Sequence, residues 1–468
     1  MKKRFLTAWI MLMAITTPIW SQQAKYVFYF IGDGMGVNQV NGTEAYRAEL
    51  EGRIGITPLL FTQFPYATMA TTYSATNGVT DSAASGTALA SGNKTKNGVV
   101  GLQADLQTKA NSIAIQAQTA GMKVGIATSV TVDHATPAAF YAHTANRNDA
   151  YNIGRELIQT GFDFYAGSDF QRPENRRNPE EGTLYEQSQK AGYTIARGYK
   201  DYHKKARKAE KMILLQTEEA SRRDRASIPY AIDREKHDLT LTEITRAGIH
   251  FLSKKADKGF FLMVEGGKID WACHANDAAT TFEEIIDFDN AIRVAYEFYE
   301  QHPDETLIVI TADHETGGIV LGTGQYALNL QALKNQRMSV NKLSAKLNEL
   351  RQKTNNQVTW GMAKQALTQH FGLWEPLKLH KRQEERLQKT FEETFLNQSV
   401  DASMYQKDER LASVAKEIIN EIAMVGWMSG SHSNGYVPLY SIGIGAEKFS
   451  HRIDNTEIPL KIAEAAGW

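Results

Sequence analysis

The sequence predicts an α/β fold: a largely parallel central β-sheet flanked by helices on both faces, with peripheral helical insertions. Short apolar runs alternate with amphipathic helical stretches, the pattern of strands joined through crossover helices. Those runs are near-continuous in apolar character, as strands covered on both faces should be. Residues able to bind metal ions follow directly after them, where open α/β sheets place their ligand sites.

In chain order, Lys2, Lys3 and Arg4 precede an apolar run over 5–20 that ends in Ser21-Gln22-Gln23. This is the charged and apolar pattern of a secretory signal, so residues 1–21 read as a signal peptide cleaved near Ser21 and the protein as periplasmic or secreted. The run is short for a bilayer span, and no other is long enough, so no membrane partner is expected. Residues 22–468 read as a single domain. Five strands are expected at 26–31, 123–127, 260–264, 307–310 and 438–443. A helix is expected over about 281–300, with Phe282, Ile285, Ile286, Ile292, Ala295 and Phe298 on its apolar face. Another ends near Gly121, a suitable C-cap. The stretches at about 169–238 and 324–424 are charged or polar and read as insertions at the periphery.

Composition narrows the partner. Lys and Arg number 52 against 53 Asp and Glu, so no charge excess points to nucleic acid, and a small molecule is expected. Cys273 is the only cysteine, which excludes an intrachain disulfide. Stability must come from the core and from bound metals.

The strand ends carry the chemistry. Asp33 follows the first strand in Ile31-Gly32-Asp33-Gly34-Met35-Gly36, and Asp133-His134-Ala135-Thr136 follows the second. Glu265 follows the third, and Asp313 and His314 the fourth. Asp270 and His274 are four apart, so a helical turn sets both on one face as two ligands of one metal. Carboxylate and imidazole without thiolate is a catalytic zinc-type donor set. Cys273 has helical spacing to Asp270 too, but reads as a small buried hydrophobe. IGDGMG lacks the spacing of a dinucleotide-binding loop.

Thr80-Asp81-Ser82-Ala83-Ala84-Ser85-Gly86 reads as the start of a tightly packed helix, with Asp81 or Ser82 near its cap. A serine there feels the positive end of the helix dipole, which favours an alkoxide and a bound phosphate. Arg147, expected on a helix, has the planar fork that grips two phosphate oxygens.

The segments IGDGMG, TDSAASGTALASG, DHATPAAFYAHTANR, VEGGKIDWACH and TADHETGG together resemble the alkaline phosphatases. The resemblance covers about 25–163, 259–318 and the chain from about Trp427, and omits the charged inserts. It implies an alkaline-phosphatase-like fold and hydrolysis of phosphate monoesters at alkaline pH through a phosphoserine, with two zinc ions and one magnesium ion. Ser82 would be the nucleophile and Arg147 the phosphate-binding arginine. Asp270, His274 and His432 would hold one zinc, and Asp33, Asp313 and His314 the other. Asp33, Thr136 and Glu265 would hold magnesium, with His134 and Trp271 flanking it; His134 would contact a metal-bound water. The run Ser431-His432-Ser433 departs from the family's His-Thr-Gly, which leaves His451 as a rival for the last zinc ligand. A homodimer is the expected assembly.

Two other functions compete. A phosphodiesterase or sulfatase could share the metal core, but a sulfatase would need a Cys/Ser-x-Pro-x-Arg context that is missing near Ser82. A protein that only sequesters zinc or phosphate would have no need of a nucleophile.

Overall fold

The computed structural model describes residues 23–324, 326–396 and 408–468. The signal expected over 1–21 lies outside them. Fourteen strands occur among the described residues: β1 Tyr26–Ile31, β2 Tyr66–Thr71, β3 Lys123–Thr128, β4 Phe164–Gly167, β5 Tyr193–Arg197, β6 Lys211–Leu215 and β7 Phe260–Glu265. They continue as β8 Thr306–Thr311, β9 Glu315–Thr316, β10 Ile319–Leu321, β11 Val425–Trp427, β12 His432–Ser433, β13 Val437–Gly443 and β14 Ile453–Asp454. Ten form one sheet in the order β14-β2-β13-β8-β1-β7-β3-β4-β6-β5.

The sheet is parallel except at β13, which runs antiparallel to both β2 and β8. The sequence placed this strand with the parallel ones. A strand covered on both faces is apolar whichever way it runs, so its direction leaves no mark on the pattern.

Register sets the site. Ile31 pairs with Glu265 and with Thr311, and Glu265 pairs in turn with Thr128. Four strands therefore end in one row, and the residues that follow emerge along one edge.

Both faces are covered. Successive residues of β7 point opposite ways: Phe260 meets Phe298 of the Ala278–Gln301 helix at 5.6 Å, while Phe261 meets Phe140 and Trp468 at 6.3 and 5.8 Å. The expected 281–300 helix is this Ala278–Gln301 element, begun earlier by the Asp277 cap on Thr280 N–H.

Residues 169–238, expected as a peripheral insertion, contribute β5 and β6 to one edge of the sheet. Lys211–Leu215 is a short buried run hidden by the charge around it. Within 324–424, helices Val340–Lys353, Trp360–Phe371, Lys381–Phe391 and Arg410–Ala423 surround a second apolar cluster that includes Leu343, Leu347, Leu387 and Ile418. This helical flank grips the loop just after His274: Gln336 Nε2 and Val340 N–H donate to Asp277, and Asn420 Nδ2 donates to the Asn276 carbonyl. No helix among the described residues is long and apolar enough to cross a membrane.

Candidate active site

Asp33, Asp313 and His314, all fully buried, stand beyond the carboxyl ends of β1 and β8. The turn after Asp33 needs glycine: Gly34 has φ +72°, and a Cβ there would lie 2.8 Å from Asp270 Cα. Its N–H donates to Asp313 Oδ1 at 3.1 Å.

Three overlapping groups of side chains follow, each with its ligand atoms within 4.8 Å of one another: Asp270, His274 and His432; Asp33, Asp313 and His314; Asp33, His134 and Glu265. In the first, the Lys268–His274 helix brings Asp270 Oδ2 to 3.2 Å from His274 Nε2. His274 Nδ1 donates to the Gly430 carbonyl at 2.7 Å and His432 Nδ1 to the Thr80 carbonyl at 2.9 Å. Both Nε2 lone pairs then face each other at 3.1 Å, an arrangement that needs a proton or a cation between them. Burial opposes charge on His274, but the hydrogen bond and charge of Asp270 push it up to about 9. Proton and cation compete for one position.

In the second group His314 Nε2 lies 3.4 Å from Asp33 Oδ1 and 3.3 Å from Asp313 Oδ2. Burial, then the neighbouring carboxylates, hold Asp33 and Asp313 well above the usual carboxylate range. Glu265 is pushed up to about 7, mainly by burial. In the third group His134, expected to contact a metal-bound water, has a buried, unpartnered Nδ1 3.9 Å from Glu265 Oε1. Trp271 packs edge-on to it, with ring centroids 6.4 Å apart.

These residues fit divalent cations. Both oxygens of Asp33, Asp313 Oδ2, Glu265 Oε1 and Thr136 Oγ are buried and have no hydrogen-bond partner. Such an orphaned atom costs on the order of 1–3 kcal/mol, and a charged one more. Oxygen and imidazole donors without thiolate suit zinc or magnesium.

Ser82 is the first residue of the Ser82–Ser91 helix; its cap is Asp81, which accepts from Ala84 N–H at 3.0 Å. Freed from capping, Ser82 Oγ lies 3.3 Å from His314 Nε2. Arg147 sits in a turn ahead of the Ala150–Thr160 helix, not on a helix as expected, because its N–H is committed to the Gly98 carbonyl at 2.9 Å. Its Nη1 donates to Asp81 Oδ2 at 2.9 Å, and its Nη2 lies 3.4 Å from His134 Nε2.

Three contributors were missed. Asp81 both caps the Ser82 helix and holds Arg147. Thr316 Oγ donates to Asp270 Oδ1 at 2.6 Å and lies 3.2 Å from His314 Nδ1, joining the first two groups. Glu315 accepts from Gln39 Nε2 at 2.5 Å and from Ser433 Oγ, which pins the strand carrying His432. The signal for the last two was their place directly after Asp313-His314. His451 is exposed and outside the three groups, as is buried Cys273, whose Sγ faces Thr281 Oγ at 3.8 Å. Asp133 turns away and accepts the Gln171 N–H at 3.0 Å.

Fold and site together define an α/β protein with three overlapping groups of potential metal ligands beside a serine at a helix N-terminus. The family model described as alkaline phosphatase matches residues 24–468, and the chain belongs to the alkaline phosphatase family of phosphomonoesterases. Alkaline phosphatase 3 of Bacillus subtilis is 29% identical over 456 residues, covering 95% of this chain and 89% of its own. Mouse tissue-nonspecific alkaline phosphatase is 32% identical over 336 residues, 62% of this chain and 63% of its own. A cold-active alkaline phosphatase from a psychrophilic Shewanella species superposes with a TM-score of 0.78 at 27% identity, over 94% of this chain and 99% of that one. The alkaline phosphatase of the Antarctic bacterium TAB5 gives 0.66 at 26%, over 96% and 99%.

Proposed function

We propose that this enzyme hydrolyses phosphate monoesters at alkaline pH through a covalent phosphoserine on Ser82, with two zinc ions and one magnesium ion in the three side-chain groups. The observation that carries the reading is Ser82 Oγ, released from capping and 3.3 Å from His314 Nε2 among unpartnered buried ligand atoms. Asp270, His274 and His432 would hold one zinc, and Asp33, Asp313 and His314 the other. Magnesium is assigned to Asp33, Thr136 and Glu265, where oxygen donors dominate and His134 adds one nitrogen. A histidine-to-aspartate variant of the TAB5 enzyme has magnesium bound in its M3 site. When bound, such cations favour the serine alkoxide and neutralise charge on the phosphoryl group.

Ser82 Oγ attacks phosphorus, the bond to the alcohol oxygen breaks, and the alcohol leaves. Water then attacks the phosphoserine phosphorus, releasing inorganic phosphate and restoring the hydroxyl. The helix N-terminus supports negative charge at Ser82 throughout. Arg147, oriented by Asp81, presents its N–H groups to two phosphoryl oxygens. Export and a homodimer are proposed on the N-terminal pattern and the family resemblance; N-terminal sequencing of the mature protein and light scattering check them.

Ser82→Ala should lower kcat/KM on an aryl phosphate at least about a thousandfold while metal content stays constant. Acid-quenched wild-type enzyme should carry a phosphoryl group on the Ser82 peptide. Unchanged turnover in the variant would refute the assignment.

A further inference from the structure

An open cavity of about 930 Å³ lies against the loop that carries Arg147; Asn146 and Asn148 form part of its wall. Its lining also includes residues 171–178 and Arg225. Four arginines, all exposed, are among its lining residues: Arg172, Arg176, Arg177 and Arg225. The lining also includes two acidic residues, Asp149 and Glu174, and Asp149 already accepts from Asn152 Nδ2 at 2.9 Å. None of the four takes part in a salt bridge found among the described residues. Several arginines elsewhere are paired: Arg197 with Asp169, Arg234 with Asp287, Arg351 with Glu409 and Arg386 with Glu417. The chain as a whole has a formal charge of −1, so the cluster is local.

The wall is fixed in place. Gln171 N–H donates to both oxygens of Asp133 at 3.0 Å, and the Pro173 carbonyl accepts from Leu184 N–H at 2.8 Å. Glu181 accepts from Asn175 Nδ2 and from Tyr151 hydroxyl, each at 3.1 Å, and so ties the loop across to the Ala150–Thr160 helix. The Arg225 carbonyl accepts from Ser168 Oγ at 2.9 Å. Four exposed arginines against two carboxylates leave the open recess with an excess of positive charge that attracts an anion from solution, and guanidinium is matched to phosphate oxygens.

We propose that this recess is a specificity subsite for the alcohol half of the substrate, selecting phosphate monoesters that carry a second phosphate or a comparable multivalent anion. It rests on the phosphomonoesterase reading above: Arg147 orients the scissile phosphoryl group, and the neighbouring recess receives the distal anion.

The test compares kcat/KM for phenyl phosphate and for benzene-1,4-diyl bisphosphate, after correction for the two equivalent esters. Wild-type enzyme should favour the bisphosphate about tenfold at low salt, with the preference shrinking as sodium chloride is raised. The Arg172→Gln/Arg176→Gln/Arg177→Gln variant should lose most of that preference, through KM, at unchanged phenyl phosphate activity. Arg176→Glu alone should lower it further than Arg176→Gln. Equal kcat/KM for both esters in the wild type, or a parallel loss on both in the triple variant, would overturn the subsite while leaving the phosphomonoesterase intact. A metallated enzyme inert on both esters would remove the reading beneath it.

Discussion

The floor of the site and the helical flank within 324–424 are both rich in charge, and they treat it in opposite ways. On the flank, opposite charges meet at the surface: Arg386 with Glu417 and Glu421, and Lys364 with Glu384, all with side chains more than a third exposed. On the floor, Asp33, Glu265 and Asp313 are fully buried, share a sign and keep unpartnered oxygens. The flank reads as solvated decoration worth little each time. The floor is affordable only if something positive joins it.

That contrast is broken most severely by removing metal. In chelated protein Asp33 and Asp313 should be held above the carboxylate range and Glu265 up to about 7. A carboxyl whose folded pKa is raised binds more protons in the folded state, so its stabilisation is complete below about pH 4 and is lost as pH rises through 7. From Glu265 alone the loss is about 3 kcal/mol. The Tm difference between metallated and chelated protein should therefore widen by several degrees from pH 5 to pH 8, measured by calorimetry. A constant difference would mean that the floor is not what the metals stabilise.

Thr316→Val comes next. It removes the hydroxyl between Asp270 and His314 at nearly constant volume, and zinc affinity should fall about 10- to 100-fold in a competition titration. Asp81→Ala should raise the inhibition constant for phosphate about tenfold by releasing Arg147, and cost about 1 kcal/mol of stability through the lost cap. The smallest effect belongs to the flank: Arg386→Gln should change stability by less than about 1 kcal/mol, with activity untouched. A larger loss there would erase the distinction between the two regions.

The floor was also the more legible region. Asp33, Glu265 and the Asp313-His314 pair sit just after apolar runs, and parallel register carries such positions to one edge. Asp270 and His274 were legible because a helical turn is local. What was lost depended on distant partners. Asp81 reads as a cap from its own neighbourhood, but its bond to Arg147 spans 66 residues. Nothing near His134 in the chain tells that its Nδ1 turns toward Glu265. In the fold, Tyr66–Thr71 escaped notice because its half-buried alternation is weak, and Phe164–Gly167 because four residues make no pattern. β5 and β6 were masked by surrounding charge.

The central claim is that the buried carboxylates and imidazoles hold cations that catalysis requires. Its most direct test is metal content by plasma mass spectrometry alongside hydrolysis of an aryl phosphate at alkaline pH, before chelation, after it, and with zinc and magnesium restored. The account predicts two zinc ions and one magnesium per chain, activity abolished with their removal, and recovery that needs both metals. A folded enzyme that keeps its turnover after all three are gone would contradict it.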